Sequence, residues 1–207
     1  MPTLLETVGE SILAPGGLTV DDLVPLIGEL AVGDIDFADL FFERAEAETF
    51  SLEDGEVKDA SYHRDAGVGV RACVGDKQGF AYSSEITASR ILEARDVAVA
   101  IQGGRAPRGG INLDQISTPK LYVAMNPIPE TAAVEKISFL QELDAKARAR
   151  SAYIIQVQAT LSISYREVLI AATDGTLGAD VRPLVRLSLT VLAEKNGRRE
   201  RGSSGLG

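Results

Sequence analysis

Tyr153-Ile154-Ile155-Gln156-Val157-Gln158-Ala159-Thr160-Leu161-Ser162-Ile163-Ser164-Tyr165 alternates apolar and polar side chains, with only Ile154 out of phase. Alternation at a period of two over such a length specifies a strand with one buried and one wet face, because successive side chains of an extended chain point to opposite sides. A second apolar run, Val168 to Ala172, follows, and Asp174-Gly175 supplies a turn signal. A third run sets Val185, Leu187, Leu189, Val191 and Ala193 against Arg186, Ser188, Thr190 and Glu194, then closes on Asn196-Gly197. Both residues of that dipeptide tolerate a positive φ, which makes it a strong hairpin signal. The returning arm runs from Arg198 to Gly205, with only Leu206-Gly207 beyond it. The expectation is an antiparallel sheet whose last arm is left unfinished.

Outside this stretch the bulk properties set bounds. A chain of 207 residues has length for a real core in one large domain or two small ones. Its aromatic share is 5% with no Trp, so the core is aliphatic. A net charge of −9 disfavours a duplex-binding protein, whose phosphate contacts need a basic face. No apolar run approaches the roughly 20 residues that span a bilayer, and no basic segment leads into an apolar block at the N-terminus, so neither a membrane nor a secretory signal is expected. One cysteine, Cys73, fits a reducing cytoplasm. With one histidine, His63, and one cysteine, the chain has no H-E-x-x-H helix and no two-histidine pattern, and a complete zinc site is not expected from these residues.

Upstream of the sheet, Leu4–Leu13 and Val20–Ala31 read as two short helices, the second with Thr19 as N-cap and Gly33 just past its end. A strand is predicted around Leu40–Leu52. Its phase is uneven, since Leu40, Phe42, Phe50 and Leu52 share one parity while Ala45, Ala47 and Thr49 take the other; a bulge near Arg44 would reconcile them. Glu53-Asp54-Gly55-Glu56 then makes Phe50–His63 a hairpin. In Gly67-Val68-Gly69-Val70-Arg71-Ala72-Cys73-Val74 the valines and Ala72 share one face, and Gly67 and Gly69 leave a flat stripe on the other, suited to a closely packed backbone or helix. Phe80, Ala81 and Tyr82 return after a turn, and a helix follows over Thr87–Ile101 with Ile91, Ala94, Val97, Ala98 and Ile101 inward. The N-terminal half thus reads helix, helix, four-stranded meander, helix. Gly103, Gly104, Pro107, Gly109, Gly110, Pro119, Pro127 and Pro129 break any period. A helix capped by Thr131 runs to about Arg150, with Ala133, Ile137, Leu140 and Ala147 inward and Glu135, Lys136, Glu142 and Lys146 outward. The fold class is α+β, mainly antiparallel sheet with flanking helices in two subdomains: residues 1–104, a linker at 105–130, and 131–207.

Isolated chemical signals are weak. Gly67-Val68-Gly69 lacks the third glycine of a dinucleotide loop and lies within a strand. His63 reads as a solvated histidine, Cys73 as a small hydrophobe, and Asp174-Gly175-Thr176 as a turn. Arg182, Arg186, Arg198, Arg199 and Arg201 are candidates to hold a partner's carboxylates or a peptide's C-terminus, with solvated arginines in an acidic protein as the simpler reading.

Longer segments carry a resemblance. Ala171-Ala172-Thr173-Asp174-Gly175-Thr176, Asp180-Val181-Arg182-Pro183-Leu184-Val185-Arg186-Leu187 and Asn196-Gly197-Arg198-Arg199-Glu200-Arg201-Gly202 resemble the middle region of the TldD/PmbA family, on the TldD side. Ala38-Asp39-Leu40-Phe41-Phe42, Leu52-Glu53-Asp54-Gly55, Lys58-Asp59-Ala60-Ser61-Tyr62, Gly67-Val68-Gly69-Val70-Arg71-Ala72 and Gly79-Phe80-Ala81-Tyr82 agree with its N-terminal region, in the same order. The resemblance implies a cytoplasmic metallopeptidase subunit that pairs with a TldE (PmbA) subunit and acts on small unfolded peptides; "modulator of DNA gyrase" is an older label for the same family. It also implies a zinc held by a His-Glu-x-x-x-His helix and a later cysteine, for which these residues have no counterpart, and Cys73 lies in the wrong region. No catalytic residue is therefore carried over, and the chain by itself is expected to be inactive. An excised domain, a shortened gene product and a genuine short paralogue each account for the ending at Gly207. A stand-alone interaction or regulatory protein is the alternative, and a nucleic-acid regulator is disfavoured by charge.

Overall fold

The computed structural model describes residues 2–31, 33–100, 111–116 and 121–207. Among the described residues, four α-helices, α1 (Leu4–Leu13), α2 (Leu23–Gly28), α3 (Ala88–Val99) and α4 (Ala133–Arg148), accompany seven strands, β1 (Phe37–Glu53), β2 (Glu56–Val74), β3 (Lys77–Ser83), β4 (Asp114–Gln115), β5 (Ile154–Ala172), β6 (Thr176–Lys195) and β7 (Arg198–Leu206). The strands form one mixed, mainly antiparallel sheet in the order β3-β2-β1-β5-β6-β4, with β7 paired to β6. This is the α+β class expected.

The turns that set the sheet are local. Asp54 and Gly55 both take positive φ (54° and 79°), as do Asn196 and Gly197 (53° and 75°). Positive φ at both central residues gives a turn whose twist matches the strands it joins. Asp54 donates its backbone N–H to Val157 O (3.0 Å), and Thr173 donates likewise to Ala38 O (2.9 Å), so β1 and β5 run antiparallel. Both bonds belong to one register, so no residue is inserted between them and the bulge expected near Arg44 is absent. Ala38, Leu40, Phe42, Glu46, Phe50 and Leu52 are all buried on a single parity. The phase looked uneven because Arg44, Glu46 and Glu48 occupy inward positions of that parity and are charged.

Several expectations are corrected. β2 is one continuous strand, so the meander has three strands and the Phe50–His63 hairpin is the far end of β1 and β2. β5 likewise continues unbroken to Ala172. Val20–Asp22 is a 3₁₀ turn ahead of α2, with the Asp22 carboxylate accepting from both the Thr19 N–H (2.8 Å) and its hydroxyl (2.7 Å). The N-cap of α4 is Ala132 rather than Thr131. Val97 is exposed, and Ile101 lies outside the described residues, as do the glycines and prolines of 103–110 and Pro119. Within the glycine- and proline-rich stretch, Asp114–Gln115 pairs in parallel with Thr176–Leu177.

The chain divides into two compact units. The first comprises Met1–Ala45, Asp65–Val123 and Arg166–Val181, the second Glu46–Arg64, Ala124–Tyr165 and Arg182–Gly207. In the first, α1 and α2 contribute the buried Val8, Leu13, Leu23, Ile27 and Leu30. α3 packs on β3 so closely that a Cβ on Gly79 would stand 1.9 Å from the Ala98 carbonyl oxygen. Arg44 Nη1 donates to Glu167 Oε2 at 2.6 Å, and the Ser11 hydroxyl donates to the same oxygen at 2.7 Å. In the second unit Phe50, Leu52, Ile128, Leu140, Ala159, Leu161 and Ile163 form one buried cluster, with Leu187 and Leu189 against it. Lys136, expected outward, is 4% exposed. It forms an ion pair with Glu48, donates to Ile128 O at 2.7 Å and lies over the Phe50 ring. A lysine stem is apolar, and its head can be buried once a carboxylate and a carbonyl receive it.

Candidate functional site

β1, β2 and β3 each present one face to the core and one away from it. Alternation puts Ala38, Leu40 and Phe42 of β1 with Val68, Val70 and Ala72 of β2 on the buried face. The opposite face carries Asp39, Phe41 and Glu43 on β1, and Asp65, Gly67, Gly69 and Arg71 on β2. On β3 it carries Gln78, Phe80 and Tyr82. Together these residues line a cleft of about 430 Å³.

The floor of the cleft is the Gly67–Gly69 stripe. Gly69 pairs with Tyr82 and Arg71 with Phe80. What lies over the glycines is neither a backbone nor a helix, as expected from sequence, but these two rings. A Cβ on Gly67 would stand 2.2 Å from the Tyr82 hydroxyl, and one on Gly69 would stand 3.1 Å from the Phe80 ring. Tyr82 and Phe80 nevertheless remain 57% and 59% exposed, and Phe41 40%. At one end Arg71 grips Asp39 through two bonds, Nε to Oδ1 at 3.0 Å and Nη2 to Oδ2 at 2.5 Å, and stands 5.5 Å from the Phe37 ring centroid. Those bonds raise the Arg71 pKa further above its ordinary value. At the other end the Tyr82 phenol is pushed above its ordinary 10.0, first by desolvation and then by the negative charges of Asp65 and Glu43. The sequence held a usable signal. Once Gly75-Asp76 is taken as a two-residue turn, the register follows, and Phe80 and Tyr82 must face the glycine stripe.

The arginines named from sequence lie in the other unit, on β6 and β7. Lys195 pairs with Arg198, Glu194 with Arg199 and Leu192 with Arg201, whereas Leu187, next to Arg186, pairs with Leu206. Arg198, Arg199 and Arg201 therefore cluster at the turn, and Arg186 is at the ribbon's opposite end. Arg198 pairs with Glu200 and Arg199 with Glu194, each at 2.6 Å. Arg201 joins Gln156, Gln158, Thr190 and Leu192 around a cleft of about 270 Å³ on the wet face. Arg182 is exposed on β6, before that ribbon. All nine residues of β7 are exposed.

Among the described residues no three His, Cys, Asp or Glu side chains converge to hold a metal ion. His63 is exposed on β2 and Cys73 is half-buried in the same strand. No helix among the described residues is long and apolar enough to cross a membrane.

Residues 38–102 match the family model described as PmbA/TldA metallopeptidase domain 1, and residues 126–207 match the PmbA/TldA metallopeptidase central domain. A protein of Haemophilus influenzae named "Metalloprotease TldD homolog" is 41% identical over 99% of this chain and 43% of its own length. One of the same name from Buchnera aphidicola subsp. Schizaphis graminum is 36% identical over 98% of the chain and 42% of its own length. The chain thus spans less than half the length of these relatives. Among solved structures, a putative modulator of DNA gyrase from Bacteroides thetaiotaomicron superposes with a TM-score of 0.68 at 13% identity, over 89% of this chain and 43% of that one. TldE from Thermococcus kodakarensis superposes with a TM-score of 0.63 at 15% identity, over 89% and 42%. At such identities the structures establish the shared fold alone.

Proposed function

Because the chain belongs to the PmbA/TldD metallopeptidase family, we propose that it is the N-terminal and middle portion of a TldD-like zinc metallopeptidase subunit. In the cytoplasm, such a subunit works with a TldE/PmbA-like partner to hydrolyse small unfolded peptides. This portion supplies scaffold, subunit contacts and a surface along which a peptide lies, while the zinc ligands belong to residues beyond it. The observation that carries the docking role is β7. Among the described residues it pairs only with β6, and all nine of its residues are exposed. An extended segment can add to such an edge through main-chain hydrogen bonds, which read no particular sequence and so suit unfolded substrates. Nine residues of strand offer about 30 Å of edge. In this reading Arg198, Arg199 and Arg201, near the turn, meet carboxylates of the peptide or the partner, Arg198 and Arg199 exchanging their own exposed ion pairs to do so.

Hydrogen exchange along β7, measured with and without an unfolded peptide, tests the docking role. Outward-facing β7 amides should slow in exchange when peptide is present; unchanged exchange throughout β7 would sink the idea. Chelator-sensitive peptide turnover by the 207-residue chain alone would refute the division of labour. Specific binding to a partner with no turnover in any assembly would favour a stand-alone interaction protein.

A further inference from the structure

We propose that the cleft on the outer face of β1–β3 is a binding site for the basic side chain, lysine or arginine, of a peptide. Three aromatic rings, Phe41, Phe80 and Tyr82, are gathered there in the open, each at least 40% exposed. Their faces carry the negative end of the ring quadrupole and attract a cation within about 6 Å. Glu43 and Asp65 stand beside the same rings. Both act electrostatically on the Tyr82 hydroxyl, which places their charge around that ring.

The charge balance favours a cation. Arg71 lies at the far end, but Asp39 engages it through two hydrogen bonds and matches its charge. Glu43 approaches the half-exposed Arg166 at 3.4 Å, a pair open to solvent. Asp65 accepts from the Ala66 N–H at 2.9 Å, and no cation pairs with it among the described residues. An anionic guest would meet Glu43 and Asp65, and a neutral one would leave the charge of Asp65 unanswered. The glycine floor seats the rings, since a Cβ on Gly67 or Gly69 would meet Tyr82 or Phe80, and the exposed sides of the rings are left to the guest. A volume of about 430 Å³ takes one long side chain with part of its backbone. The site does not depend on the β7 edge.

The test uses nitrogen-15 NMR of the full chain with four acetylated, amidated pentapeptides, Ala-Ala-X-Ala-Ala, where X is Lys, Arg, Gln or Glu. The Lys and Arg peptides should shift the Gly67 and Gly69 amides saturably, and the Gln and Glu peptides should not. Asp65→Asn should weaken Lys-peptide binding about threefold, and Tyr82→Leu about fivefold. Gly67→Ala, which drives the Tyr82 ring from its seat, should abolish it, while Lys58→Gln on the far part of β2 should leave it unchanged. The proposal is overturned if the Gln peptide binds as well as the Lys peptide. It is overturned equally if Asp65→Asn has no effect, or if the shifts follow protein concentration rather than peptide, which would make a second copy the occupant.

Discussion

Replacing Lys136 by methionine should strongly destabilise the unit built around Phe50 and Leu140. The side chain is 4% exposed, and its ammonium group is received by Glu48 and by Ile128 O at 2.7 Å. Methionine keeps the stem's volume but removes all three hydrogens. Glu48, with only 14% of its side chain exposed, is then left charged without its partner. Breaking a buried pair from one side costs roughly 3–5 kcal/mol, and the lost bond to a carbonyl about 1 kcal/mol. The remaining water contact of Glu48 lowers the first figure, so about 3–4 kcal/mol is expected in all. With a urea dependence of about 2 kcal/mol per molar, the midpoint followed by circular dichroism should fall by roughly 1.5–2 M. Combining Lys136→Met with Glu48→Leu replaces the pair by two apolar groups and should return stability to within about 1 kcal/mol of the parent. A single substitution costing under about 0.5 kcal/mol is what an outward lysine would give, and it would refute the buried placement.

Two glycines with opposite surroundings give a paired prediction. Gly79→Ala sets a Cβ 1.9 Å from the Ala98 carbonyl, forcing α3 off β3, and should cost about 2 kcal/mol or more; Gly28→Ala meets nothing within 4 Å and should stabilise by about 0.5–1 kcal/mol. Thermal unfolding of both variants checks this, and equal shifts of the same sign would refute it. At acid pH, the backbone N–H of Thr176, followed by its side chain, holds the Asp174 carboxyl below its ordinary 3.8. The ionised form is therefore favoured by folding. Its contribution is complete above about 3.8 and is lost as pH falls through the lowered folded value. Asp174→Asn should accordingly flatten the loss of urea resistance on acidification; parallel curves for the two proteins would contradict this.

What the sequence determined by itself was whatever depends on near neighbours. The period-two alternation read from Tyr153 to Tyr165, whose apolar face is buried from Val157 onward while Tyr153 and Ile155 are exposed, the Asn196-Gly197 and Asp54-Gly55 turns, the bounds of α1 and the α+β class are legible because a strand's faces and a turn's dihedrals are set within a few residues. The ordered family segments were legible for the same reason. The inward charges on β1 were not, since Arg44, Glu46 and Glu48 are acceptable inside only because Glu167, Asn126 and Lys136, all distant in sequence, come to meet them. Read alone, those charges imitated a change of phase, and Lys136 imitated a solvated position. Only tertiary structure decided that rings rather than backbone cover Gly67 and Gly69, and that Arg186 lies far from Arg198. Cross-strand register brings residues together or holds them apart, and register is a relation between segments that neither segment contains.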